Sequence, residues 1–120
     1  MIGLLAALGI VLLLGGIAHT IGFLRLYLTA GVPDANRVLL DGWIAQAQLL
    51  AGGLFLAAAS AARAARPWRA LAVFGALTIL GFSAAFFPVL VTRAPLYLRL
   101  PHVAYGIAAA VVLVQAARAR

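Results

Sequence analysis

Few residues in this chain carry polar chemistry inside an apolar setting, and two of them are its only histidines, His19 and His102. His19 sits in "GGIAHTIG" near the end of a long apolar run, and His102 follows Pro101 at the start of another. Imidazoles on two facing helices can grip a haem iron from both sides, so a bis-histidine b-type haem is one chemistry this pair allows. A divalent metal on the same pair, with Asp41 nearby, is a variant of it. A second chemistry is polar bonding between helices, with His19 donating to Gln46 or to a carbonyl. A third uses His19, Gln46, His102 and Tyr105 as polar anchors for a lipid, a quinone or another small hydrophobic ligand. Arg25 and Asp41 form either an ion pair or two independent charges at headgroup level.

Other chemistries have no residues to build on. With no cysteine there is no disulfide, thiolate metal site or thiol nucleophile. The sequence holds no phosphate-binding glycine loop, no H-E-x-x-H and no G-x-S-x-G. No apolar segment carries an acid in its interior for a proton relay. An enzyme acting on a lipid would have only Tyr105, the histidines and Asp41, so no catalytic residue is assigned.

The elements that position these groups are apolar helices. The chain has 120 residues, 67% of them hydrophobic and only 9% charged, too little polar surface to cover a soluble domain of this size. Four apolar segments lie between charges: Ile2–Leu24 before Arg25, Gly42–Ala62 between Asp41 and Arg63, Ala70–Thr92 between Arg69 and Arg93, and Leu100–Ala117 between Arg99 and Arg118. Crossing the hydrocarbon core takes about 20 helical residues. The first three segments meet that length and the fourth approaches it. The expected fold is all-α: a polytopic membrane protein forming an antiparallel four-helix transmembrane bundle, one domain with spans near 2–30, 33–62, 68–92 and 100–117. The first segment lacks the basic start, short apolar run and small-residue cleavage site of a signal peptide.

The net charge of +7 comes from arginines at segment ends, where they reach the headgroups, and it does not call for a nucleic-acid partner. Arg63, Arg66, Arg69, Arg118 and Arg120 fall on one side; Arg25, Arg37, Arg93, Arg99 and both aspartates fall on the other. The short loop "RAARPWR" has three arginines and no acid, which places that side, and with it both termini, in the cytoplasm.

Turn chemistry pairs the first two spans as a hairpin. In "TAGVPDAN", Gly31 suits the position after a helix and Pro33 the first turn of the next. Folding about Val32 brings Arg25 level with Asp41, and His19 level with Gln46. Small or polar stripes are expected to face the bundle: Gly15, His19 and Gly22; Gln46, Gly53, Ala57 and Ser60; Thr78, Gly81, Ala85 and Pro88; His102, Tyr105, Gly106 and Ala109. Gln46 and Gln48 cannot share a face, so one turns inward and the other toward a neighbour. The polar groups gather in the non-cytoplasmic half, so any pocket opens outward.

The layout of "GGIAHTIG", the "GVPDANR" turn, "QAQLLAGGLFLAAA" and a short basic loop resembles that of small bacterial four-helix membrane proteins of the DoxX-like kind and related families. The resemblance covers most of the chain and rests on layout, so it transfers no catalytic residue. It implies a bacterial cytoplasmic (inner) membrane protein. The expected function is non-catalytic: an accessory subunit, or a binder of a small hydrophobic ligand in an outward-facing polar pocket. The rival is the haem or metal protein built on His19 and His102. Expected partners are the lipid bilayer and either another membrane protein or a second copy.

Overall fold

The computed structural model describes residues 1–30, 35–93 and 96–118, with side chains over 1–25, 27–29, 42–85 and 100–118. Four helices account for nearly all of it: α1 (Ile2–Ala30), α2 (Ala35–Arg63), α3 (Arg69–Arg93) and α4 (Leu96–Arg118). No strand occurs among the described residues. The hairpin tip at 31–34 lies outside them. At ~1.5 Å per residue, the 29-residue helices α1 and α2 are each about 43 Å long. The molecule is drawn out accordingly, measuring 50 × 26 × 20 Å.

Glycine decides how α1 meets α2. A Cβ built on Gly9 would lie 3.0 Å from both the Gly52 carbonyl oxygen and the Leu56 amide nitrogen. One built on Gly52 would lie 2.9 Å from the Leu13 nitrogen and 3.0 Å from the Gly9 oxygen. Gly16 meets the Leu49 backbone in the same way, at 3.1 Å. The two backbones touch, leaving no room for a methyl group between them. Apolar burial gives helices in lipid little reason to associate, so close backbone contact through small residues is the effective alternative. Rising indices on α1 meet falling indices on α2, so the pair is antiparallel.

α2 is the central element. It packs on α1 along this seam and on α3 along its other side, and α3 packs in turn on α4. α1 and α4 make only a marginal contact, so among the described residues the four helices form an overlapping series more than a closed ring. Phe55, fully buried, projects from α2 onto Gly75 of α3. Around it lie Leu5, Leu8 and Leu12 of α1, Ala72, Ala76 and Ile79 of α3, and Ala109 and Val112 of α4.

The turn from α2 to α3 is a Schellman cap. The Arg66 amide donates to the Ala61 carbonyl (2.8 Å) and the Ala65 amide to the Ala62 carbonyl (3.1 Å). Ala65 supplies the left-handed residue, at φ 55°, where glycine is usual. Pro67 follows and prevents the helix from continuing. At the opposite end α4 begins at Leu96, earlier than the charge-bracketed segment starting at Leu100. Pro95 precedes it, and proline near a helix start costs no hydrogen bond. Pro101 lies within this helix and has no N–H to offer the Tyr97 carbonyl.

Three helical stretches are long and apolar enough to cross a membrane: Ile2–Thr29, Gly42–Arg63 and Leu100–Arg118. The apolar stretch of α3 with described side chains, Arg69–Ala85, is shorter. The outward faces are apolar too, with Leu14, Ile17, Ile21 and Leu24 on α1 and Ile107 and Val111 on α4 exposed. The hydroxyls of Thr20 and Thr78 donate to carbonyls one turn back in their own helices, which satisfies them without water.

Candidate functional site

The predicted polar residues do not converge on one pocket. His19 is half-buried on α1, His102 is buried on α4, and Tyr105 is half-buried one turn further along α4. The His102 ring packs edge-on against Tyr105 (centroids 6.0 Å, planes at 87°) and lies 6.1 Å from the Phe82 ring of α3. Gln46 sits apart from them, exposed on the α3 side of α2.

Three sequence expectations are therefore corrected. First, His19 makes no hydrogen bond to Gln46. The antiparallel seam brings the two to similar heights, but on different sides of α2. Second, the glutamine that turns inward is Gln48, only 2% exposed, its Oε1 pointing at Gly15 and lacking a hydrogen-bond partner. Third, the expected stripe Gln46, Gly53, Ala57 and Ser60 faces outward, as do Gly22, Gly81 and Ala85. The stripe on α4 does face inward, with His102 and Ala109 buried. Pro88 and Asp41 fall outside the described side chains, so the proposed Arg25–Asp41 pair lies outside them too; Arg25 is exposed.

Gln48 makes a direct prediction. A buried amide without partners costs more than an apolar side chain of similar size. Gln48→Leu should therefore be neutral or stabilising, by about 1 kcal/mol at most, in thermal denaturation of the purified protein in detergent. A loss of more than that would mean the amide is bonded within the helix pair.

Gln46 lines a recess. Between α2 and α3 runs an open groove of about 390 Å³, bounded by Trp43, Gln46 and Leu50 on one side and Leu77, Gly81 and Phe82 on the other. Thr78 also lines it. Its hydroxyl hydrogen is committed to the Phe74 carbonyl, which leaves its oxygen as an acceptor only. Gln46 is the group there with both donors and an acceptor to offer. Phe82 joins the two regions: one side borders the groove and the other approaches His102.

No group of three or more His, Cys, Asp or Glu that could hold a metal occurs among the described residues. No family model matches the chain, and no curated protein or solved structure matches it.

Proposed function

We propose that this chain is an integral membrane protein, a four-helix transmembrane bundle without catalytic activity, that binds a small amphiphile in the α2/α3 groove. The observation that carries this is the groove itself. Its volume of about 390 Å³ is that of a small-ligand site, its walls are apolar, and one full amide, Gln46, is exposed within it. An apolar body would lie against Leu50, Leu77 and Phe82, and a hydrogen-bonding head would meet Gln46. Gln46 is one turn from Gly42, the outer end of its apolar span, so the pocket belongs to the non-cytoplasmic half. The resemblance of the sequence layout to DoxX-like proteins supports a bacterial inner membrane, and the arginine distribution supports both termini in the cytoplasm.

The test is to purify the chain in mild detergent and extract it for mass spectrometry. An amphiphile with a hydrogen-bonding head should be present near one per chain and fall about tenfold in Gln46→Leu, the loss expected for a head group deprived of its polar partner. The same amphiphile at equal amounts in both proteins contradicts the proposal.

One observation favours a second reading: both histidines are withdrawn from the surface, His102 buried on α4 and His19 half-buried on α1. In that reading the pair holds a haem iron or a divalent metal. Visible absorbance with iron and zinc analysis of the same preparations separates the two. Stoichiometric metal lost from both His19→Gln and His102→Ala would replace the groove with the histidine pair.

A further inference from the structure

The end of the molecule opposite the histidines carries a charge pattern that the groove does not use. Arg63 closes α2, Arg66 lies in the Schellman turn, Arg69 opens α3, and Arg118 lies in the last turn of α4. All four are exposed. The segment from Arg63 to Arg69 and the last turn of α4 contain no acidic residue in the sequence; the chain's two aspartates are Asp34 and Asp41. The tight turn holds Arg63, Arg66 and Arg69 together, and the packing of α4 on α3 brings Arg118 to the same end.

What adjoins these charges is apolar. Trp68 is half-buried and packed against the core, between Arg66 and Arg69. From there along α3 run Phe74 and Leu77, 62% and 51% exposed, and on α4 Val111 and Val114 are exposed as well. We infer that this end is a binding surface for an anionic phospholipid, its phosphate among Arg63, Arg66, Arg69 and Arg118 and its acyl chains along the exposed face of α3. A free phosphate would use the arginines but not the apolar track. A zwitterionic lipid would use the track but would bring a cation to the arginines. Arginine suits the role because its planar fork can donate two parallel hydrogen bonds to phosphate oxygens.

Trp68 makes the test local. In a Trp43→Phe chain it is the one remaining tryptophan, and lipids brominated on their acyl chains quench it on contact. The chain is reconstituted in vesicles of phosphatidylcholine with brominated phosphatidylglycerol, or with brominated phosphatidylcholine as the comparison. Brominated phosphatidylglycerol should quench with at least about tenfold higher apparent affinity, since each arginine near an anionic headgroup is worth roughly fivefold and two together roughly 25-fold. Arg66→Gln with Arg69→Gln should remove most of that preference, while Arg66→Lys with Arg69→Lys should keep most of it. Helical content by circular dichroism shows whether the variants remain folded, and the lysine pair decides if the glutamine pair does not. Equal quenching by the two lipids overturns the inference, and so does a preference that survives in a folded glutamine variant. A preference abolished by millimolar inorganic phosphate at constant ionic strength would mark a free-anion site and overturn it equally.

Discussion

Gly52→Leu should separate α1 from α2. The side chain has nowhere to go, because its first carbon already falls 2.9 Å from the Leu13 nitrogen and 3.0 Å from the Gly9 oxygen. A flexible side chain could move aside, but two helix backbones cannot do so without parting. Overpacking ordinarily costs about 1–3 kcal/mol, and a backbone obstacle puts this substitution at or above about 3 kcal/mol. The neighbouring residue supplies the control. A Cβ on Gly53 meets nothing within 4 Å, so Gly53→Leu should change stability by less than about 0.5 kcal/mol. Thermal denaturation of both in the same detergent reads the difference. Equal losses at 52 and 53 would mean that α1 and α2 do not meet along Gly9, Gly16 and Gly52.

Phe55→Ala is the second large effect. Phe55 is fully buried, and its ring fills the space left by Gly75, where a Cβ would fall 3.0 Å from the ring edge. In a soluble protein such a truncation costs about 3–5 kcal/mol, part for lost transfer from water and part for the cavity. In lipid the transfer part shrinks, because the separated helix is solvated by hydrocarbon. The cavity part remains, at roughly 24 cal/mol per Å³. Removing most of a benzyl group, about 100 Å³, leaves an expected loss of about 2–3 kcal/mol. Gly75→Ala in the Phe55→Ala background should recover part of that loss, although alone it crowds the ring. Two simply additive losses would show that Phe55 and Gly75 do not share one contact.

Helix placement was legible because charges bracket the apolar segments and proline and glycine mark the turns. α1 (Ile2–Ala30) and α3 (Arg69–Arg93) end close to where those signals fall. The start of α4 was less visible, since "RAPLYLRLP" reads as a loop with two prolines, although a helix can begin directly after the first and tolerate the second in its early turns.

Helix faces were much less legible. α2 has small residues on both sides, so spacing alone cannot choose between Gly53, Ala57 and Ser60, which face out, and Gly52, Ala58 and Ala59, which face in. The same ambiguity hid which glutamine is buried. A usable signal was present in α1: Leu5, Leu8, Gly9, Leu12 and Gly16 repeat at helical spacing and mark its buried side. The glycines nearest His19 drew attention instead. Of these, a Cβ on Gly15 would meet the end of the Gln48 side chain first, and one on Gly22 would meet nothing within 4 Å. Of the candidate residues, the α4 stripe made legible that His102 and Tyr105 share a face, where their rings pack together, whereas Gln46 lies apart in the groove between α2 and α3.

The groove is tested most directly by filling it. Gly81 lines it, and a Cβ there meets nothing within 4 Å, so Gly81→Leu occupies the groove without disturbing the helix contacts. Trp43 also lines it, and in a Trp68→Phe chain Trp43 is the one remaining tryptophan. The measurement is quenching of Trp43 by a brominated single-chain amphiphile with a primary-amide head, which can exchange two hydrogen bonds with the Gln46 amide. Quenching should saturate in the otherwise unchanged chain, weaken at least about tenfold in Gly81→Leu, and stay as it was in Gly53→Leu, whose new side chain lies outside the groove. Quenching that rises without saturation, and equally in all three proteins, would show that Trp43 sees only bulk lipid and would contradict a ligand site between α2 and α3.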